Sequence, residues 1–164
     1  MSDLQLQNAR ILILIPNFIM LATTMSVNEF KWIPIFFTFW GYFISMFSVF
    51  ATMKAATYYE WQIVACVSTT VGQALNNIIM PLFWFLLYPS YQPMVWNIHT
   101  FQMNMHLITL HSVPFISTTL NVALTDMKLL RGDVVKVVIA GYIYVACNIF
   151  GQFMYGFPIY PGFT

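Results

Sequence analysis

The sequence predicts an all-α membrane protein, with about five transmembrane helices forming one domain over residues 1–164. Of its residues, 60% are hydrophobic and only 7% are charged, whereas a soluble domain is about 25% charged and needs a polar exterior. Charged residues separate apolar segments of about the 20 residues that a spanning helix requires. The period-two alternation that is typical of a membrane β-barrel is absent from the sequence.

The charged residues divide the chain into five predicted spans. Arg10 and Glu29 flank the first apolar segment, and the second follows it closely. Between Glu60 and Asp126 there is no charged residue at all, and this stretch is long enough for two spans and a loop. The predicted spans cover approximately residues 11–28, 33–53, 62–88, 105–125 and 134–153.

Two segments are predicted to lie at the membrane surface, because Pro, Trp and Tyr are enriched there. One is PSYQPMVWNIHTFQ, residues 89–102, which would connect the third and fourth spans. The other is the final segment YGFPIYPGFT. The chain is therefore expected to be an integral membrane protein whose polar connections are short.

The basic residues predict an orientation. With five spans, one side of the membrane holds all of them except Lys31, and the positive-inside rule places that side in the cytoplasm or the mitochondrial matrix, together with the N-terminus. The net charge is only +1, so no basic surface points to nucleic acid as a partner. The residues on the basic side are Arg10, Lys54, Lys128, Arg131 and Lys136.

The second span carries a row of small and hydroxyl residues. Thr38, Gly41, Ser45, Ser48 and Thr52 follow one another at steps of three and four, so they share one face of a helix. Such a row lets two membrane helices approach closely. Alternatively, Thr38, near one end of the row, faces a cavity.

The third and fourth spans contain amide and imidazole side chains. A polar group without a partner in hydrocarbon costs several kcal/mol, so these groups are expected to bond neighbouring helices or lipid in the bundle interior. Ionisable residues inside a membrane are also candidates for a functional site. The residues are Gln73, Asn76 and Asn77 in the third span, and His106, His111, Thr118 and Asn121 in the fourth.

No metal site and no cofactor are predicted. A haem inside a helix bundle needs histidines from facing helices, and only the fourth span contains His. The residues His99, His106 and His111 include no pair spaced by four residues, and no acidic ligand lies nearby in the sequence, so they do not form a zinc motif.

Four segments, in this order, carry a resemblance to a known family. They are FKWIPIFFTFWGYF, MPLFWFLLYP, LHSVPFISTTLNVALTD and GYIYVACNIFGQFMYGFPIYP, and they cover roughly residues 30–161. Together they resemble the signature helices of the androgen-induced and androgen-dependent TFPI-regulating family of multi-pass membrane lipid hydrolases.

The resemblance implies a hydrolase of fatty-acid esters of hydroxy fatty acids, with a Thr nucleophile and a His base. In this sequence those roles fall on Thr38 and His111. A Thr hydroxyl becomes nucleophilic only when a base within hydrogen-bond reach accepts its proton, and imidazole suits that role near neutral pH. Separately from the resemblance, Asn76 or Asn77 could donate to an oxyanion.

Two functions follow from these observations. The first is a non-catalytic accessory subunit of a larger membrane complex, such as a respiratory complex of the mitochondrial inner membrane. It would pack against lipid and partner helices, and its 11 Met and 16 Phe residues suit adaptable contacts. The alternative is the Thr–His hydrolase, in the same or in an endomembrane. A transporter is not favoured, because the sequence shows no inverted repeat.

Overall fold

The computed structural model describes residues 3–27, 36–91, 98–126 and 132–156, and the described chain is helical throughout apart from short turns. The all-α fold is as predicted. α3 continues directly into a π-helical turn at Phe83–Leu87, and α4 is a single short turn. The helices are α1 Asp3–Val27, α2 Phe37–Ala55, α3 Trp61–Leu82, α4 Tyr88–Tyr91, α5 Ile98–Ala123 and α6 Asp133–Tyr155.

Three stretches of helix are long and apolar enough to cross a membrane: Asp3–Met25, Trp61–Leu87 and Asp133–Tyr155. This is the property expected of an integral membrane protein. α2 and α5 have 19 and 26 residues; α2 carries hydroxyl side chains, and α5 carries hydroxyl, amide and imidazole side chains. Those polar side chains point largely into the bundle, as described below.

The helix boundaries differ from the predicted spans in two places. α1 begins at Asp3, so Arg10 lies inside this helix and is buried, not in a flanking segment. α5 begins at Ile98, so the predicted connection at residues 89–102 is partly helical. Outside the described residues lie the rest of that connection, residues 92–97, as well as Lys31, Lys128, Arg131 and the final segment from residue 157.

α2 lies at the centre of the bundle. It packs mainly on α3 and α5, which also touch each other, while α1 packs on α5 and α2, and α6 packs on α3. α1 runs antiparallel to α2, because Gln7 Nε2 donates to the carbonyl of Met53 while Tyr42 Oη donates to the carbonyl of Asn17. The polar faces of α2, α3 and α5 therefore meet along one interior column.

The small-residue row of α2 lies against α3, which confirms the predicted close approach. A Cβ added to Gly41 would lie 2.5 Å from Ile79 Cδ1 and 2.9 Å from Asn76 Oδ1. Ser45, Ser48 and Thr52 are buried, and each hydroxyl donates to a carbonyl three or four residues earlier in α2. The hydroxyls are thereby satisfied without weakening the helix–helix contact.

Candidate active site

Thr38 and His111 meet near one end of the interior column. Thr38 Oγ1 lies 3.1 Å from His111 Nε2, although the residues are 73 positions apart in the sequence. Thr38 is the second residue of α2 and is half-buried, while the His111 side chain in α5 is only 7% exposed. The fold thus brings together the two residues to which the family resemblance assigns catalytic roles.

The other ring nitrogen of His111 defines its tautomer. Nδ1 lies 2.7 Å from the backbone carbonyl of Leu107. A carbonyl can only accept a hydrogen bond, so Nδ1 carries the proton and, in the neutral ring, Nε2 is left as an acceptor. The Thr38 hydroxyl therefore donates to Nε2, which is the polarity that a nucleophile and its general base require.

The imidazole is held in place by an aromatic side chain from the π-helical turn that continues α3. The Phe83 ring stacks on the His111 ring, and the Phe83 side chain is only 1% exposed. Phe83 begins the π-helical turn, in which the N–H of Tyr88 donates to the Phe83 carbonyl five residues earlier. Such turns are frequent at functional sites. Stacking on one face and the bond to Leu107 on the ring edge together restrict rotation of the base.

The start of α2 adds a favourable electrostatic environment for Thr38. The residue before the helix, Phe36, has extended backbone angles and provides no side-chain cap. The partial positive charge of a helix N-terminus extends over its first turn and stabilises nearby negative charge. An alkoxide or oxyanion that develops at Thr38 would therefore lie at the favourable end of this dipole.

Asn76 lies in the bundle interior, and its amide is already engaged. Its Nδ2 is 2.6 Å from Ser45 Oγ, 2.7 Å from the Gly72 carbonyl and 3.3 Å from the Gly41 carbonyl. An amide nitrogen has two protons, so these acceptors use both. The contacts support a role in joining α2 to α3 and do not support the suggested role as an oxyanion donor.

Asn77 is exposed on the outside of the bundle, and Gln73 is half-buried beside it. Gln73 Nε2 is 3.3 Å from Asn77 Oδ1 and 3.3 Å from Thr119 Oγ1, and both Asn77 and Thr119 are exposed. These residues form a polar cluster, Gln73–Asn77–Thr119, where α3 meets α5. Asn77 is therefore placed away from Thr38, and its contacts give no support to the oxyanion role either.

Thr118 and Asn121 are buried at the other end of the interior column. Thr118 donates to the Pro114 carbonyl, while Asn121 Nδ2 is 2.9 Å from Thr52 Oγ1 and 3.4 Å from Thr69 Oγ1. Asn121 thus joins α5 to both α2 and α3. At a rise of 1.5 Å per residue it lies about 15 Å along α5 from His111, so its role is structural.

His106 is buried, with 6% of its side chain exposed, and it precedes His111 by five residues in α5. The imidazole at Thr38 is that of His111. The His99 side chain lies outside the described residues. Within the described part of the chain, no three His, Cys, Asp or Glu side chains come close enough to hold a metal ion.

Sequence reasoning did not single out Phe83, Asn17 or Arg10. Phe83 looked like one of many aromatic residues, although its place two residues after Pro81 was a usable signal. Asn17 is an amide in the middle of the predicted first span; it is fully buried, and its Nδ2 lies 2.7 Å from Ser117 Oγ. Arg10 appeared to be an ordinary flanking charge, but only 3% of it is exposed.

The fold and the site define a class: a multi-pass helical membrane protein whose bundle encloses a hydrogen-bonded Thr–His pair. No protein-family profile, no curated protein and no solved structure matches the chain. The suggested family therefore rests on the four sequence segments alone.

Proposed function

We propose that this chain is an intramembrane hydrolase of fatty-acyl esters, with Thr38 as the nucleophile and His111 as the general base. The observation that carries the proposal is the 3.1 Å contact between Thr38 Oγ1 and His111 Nε2, with Nε2 as the acceptor because Nδ1 donates to Leu107. A Thr hydroxyl that only filled space would need no base, since Ser and Thr in membrane helices commonly bond to their own backbone.

The acylation step uses both residues. As Thr38 Oγ1 attacks the ester carbonyl carbon, its proton passes to His111 Nε2, and the carbonyl oxygen becomes an oxyanion. When the tetrahedral intermediate collapses, the bond from carbon to the alcohol oxygen breaks. The imidazolium returns the proton to that oxygen, so the alcohol leaves neutral and an acyl–Thr38 ester remains.

Deacylation repeats the same chemistry with water. His111 Nε2 accepts a proton from a water molecule while the water oxygen attacks the acyl carbon. The bond to Thr38 Oγ1 then breaks, and the proton on Nε2 returns to Oγ1. A carboxylic acid is released and both residues regain their starting states. No metal or cofactor enters this sequence of steps.

The substrate class is inferred from the surroundings and from the family resemblance. Thr38 and His111 lie between apolar helices, where an ester with a long hydrocarbon chain would partition. The resemblance narrows this class to esters of hydroxy fatty acids. By the positive-inside rule, Thr38 would face the half of the bilayer opposite to Arg10 and Lys54.

The test is hydrolysis of a fatty-acid ester of a hydroxy fatty acid by the purified protein in detergent. We expect Thr38→Ala and His111→Ala to lower the rate at least about a hundredfold, while Thr119→Ala, on the outside of α5, leaves it unchanged. A fluorophosphonate probe should label Thr38, as located by peptide mass spectrometry. An inert native protein without labelling at Thr38, or a Thr38→Ala variant as active as the native protein, would refute the proposal.

A second function, an accessory subunit of a larger membrane complex such as one in the mitochondrial inner membrane, is favoured by one specific observation. The cluster Gln73–Asn77–Thr119 lies mid-way along the apolar helix Trp61–Leu87, and Asn77 and Thr119 are exposed there. An amide that faces hydrocarbon is costly unless another helix supplies a hydrogen-bond partner. A neighbouring membrane subunit would supply it.

The subunit proposal is tested by the size of the native particle in a mild detergent. We expect Asn77→Leu to release the chain from its complex on a native gel. Ile78→Leu, which changes the adjacent exposed position without removing a polar group, should leave the particle intact. A native chain that already migrates alone, or an Asn77→Leu particle of native size, would contradict this function.

A further inference from the structure

Arg10 is a buried positive charge that lacks a counter-ion within the described part of the chain. Its side chain is only 3% exposed, and Nε is buried without a hydrogen-bond partner. Among the described residues, the guanidinium makes one hydrogen bond, and it is long, 3.5 Å from Nη2 to the carbonyl of Leu124. A buried charge is very costly unless it is paired, so this guanidinium is expected to bind an anion.

The guanidinium lies where α2 and α5 end. Leu124 directly follows the last residue of α5, and Gln7, one turn before Arg10 in α1, donates to the carbonyl of Met53 near the end of α2. Two further charged residues, Lys54 and Asp126, lie at the same ends of α2 and α5. Arg10 is therefore at the depth of lipid headgroups and not at the bilayer centre.

An apolar groove on the outside of the bundle begins at two neighbours of Arg10, Ala9 in the chain and Leu124 at the guanidinium, although Arg10 does not itself line it. It lies between α1 and α5 and has a volume of about 550 Å³. Ala9 and Leu124 line the end beside Arg10, while Pro16 and Val113 line the far end. From Leu124 to Val113 the groove is about 16 Å long at 1.5 Å per residue, which is about half of the 30 Å hydrocarbon core.

We infer that Arg10 and this groove form a binding site for one anionic phospholipid. The guanidinium would bind the phosphate through paired N–H donors, a geometry that suits Arg, and one acyl chain would fill the groove across a single leaflet. Charge complementarity selects an anionic lipid over a neutral or zwitterionic one. The guanidinium end of the site is separate from the proposed hydrolase, because Leu124 lies about 20 Å along α5 from His111; only the far end of the groove, at Val113, comes near His111 in the sequence.

The experiment measures lipid retention by native mass spectrometry of the purified chain. Dioleoylphosphatidylglycerol and dioleoylphosphatidylcholine are added separately to the native protein and to three variants. We expect the native chain to retain the glycerol lipid about tenfold more tightly than the choline lipid. Arg10→Gln should remove this preference. Lys54→Gln, which removes one charge from the same side of the bundle, should keep it.

The third variant tests the groove without changing the charge. Ala123→Phe places a ring in the groove that Ala123 lines, and it should weaken retention of both lipids about tenfold while Arg10 is intact. This variant decides the question if Arg10→Gln does not fold. Equal retention of the two lipids by the native chain, an equal loss with Lys54→Gln, or full retention by Ala123→Phe would overturn the proposal.

Free phosphate is the other possible source of the anion. Inorganic phosphate at the concentration of the lipid should not displace phosphatidylglycerol, because it lacks the chain that fills the groove. If inorganic phosphate competes on equal terms, the guanidinium binds a small anion and the assignment of a lipid is wrong.

Discussion

The phenyl ring of Phe83 lies flat on the imidazole of His111, with ring centroids 3.7 Å apart and planes only 7° from parallel. Stacking restricts tilting of the imidazole. The hydrogen bond from Nδ1 to the Leu107 carbonyl restricts rotation of the imidazole within its own plane. Phe83 contributes no atom to the proposed chemistry. It can influence the reaction only by holding the imidazole or by stabilising the imidazolium over its ring face.

Phe83→Leu should therefore lower kcat for ester hydrolysis about two- to tenfold, with little change in KM. This factor corresponds to the free energy that an aromatic pair contributes in addition to the burial of its surface. The matched control is Phe85→Leu in the same π-helical turn, because Phe85 is 78% exposed and should tolerate the change. Steady-state kinetics of both variants checks this. An equal effect of the two variants, or an effect on KM alone, would contradict the positioning role.

Gly41→Ala should destabilise the bundle by about 1–3 kcal/mol, because the new Cβ would overlap Ile79 Cδ1 and Asn76 Oδ1. Gly141→Ala is the matched control. Gly141 lies within α6, and apart from its own helix backbone no atom of the described residues lies within 4 Å of the added Cβ, so Ala there should stabilise the helix by up to about 1 kcal/mol. Unfolding in a detergent titration measures both free energies. A Gly41→Ala protein as stable as the native one would contradict the close packing of α2 on α3 at this position.

Asn17 and Ser117 should show a measurable coupling free energy. Asn17 Nδ2 is 2.7 Å from Ser117 Oγ, and this bond joins α1 to α5 inside the bundle. In a double-mutant cycle of Asn17→Ala and Ser117→Ala we expect about 0.6 kcal/mol and at most about 1.7, the range found for such bonds between membrane helices. Additive effects of the two substitutions would show that the contact contributes nothing to stability.

Gly156→Ala should destabilise the end of α6 by about 1–2 kcal/mol. Gly156 follows the last helical residue with a φ of +73°, and its N–H donates to the carbonyl of Gln152. This left-handed conformation disfavours any residue with a Cβ. Gly132→Ala, at the other end of α6 with right-handed backbone angles and open space around it, is the control. Hydrogen exchange of the final turn of α6 should rise only in Gly156→Ala.

Charge spacing was enough to predict the all-α fold, because each long helix lies between charged or interfacial residues. It could not place the helix ends. α5 begins at Ile98, inside the segment predicted to lie at the membrane surface, because an interfacial composition does not itself stop a helix. α1 likewise includes Arg10, since a charge ends a hydrophobic segment but does not end a helix.

The candidate site was predictable only in part. The family resemblance pointed to Thr38 and His111. The row of small and hydroxyl residues at steps of three and four in α2 predicted which face of that helix packs against a neighbour. The stacking of Phe83 on His111 depends on the packing of the π-helical turn against α5, which no sequence spacing encodes, and the tautomer of His111 depends on which ring nitrogen turns to the Leu107 carbonyl. The Asn76 contacts could not be foreseen either, because an intramembrane amide predicts a hydrogen bond but not its acceptor.

The side-chain bonds to the preceding turn bear on how the chain enters a bilayer. Asn17 donates to the Ile13 carbonyl, Asn76 to Gly72 and Thr118 to Pro114, all within their own helices. These helices can thus satisfy part of their polar side chains with their own backbone before any neighbouring helix is present. This lowers the free energy needed to insert each helix alone into the bilayer. The bonds between helices would then form during lateral association, where they select one register among several. Each span of such a chain can therefore enter the bilayer in turn during synthesis, before its partner helices have been made.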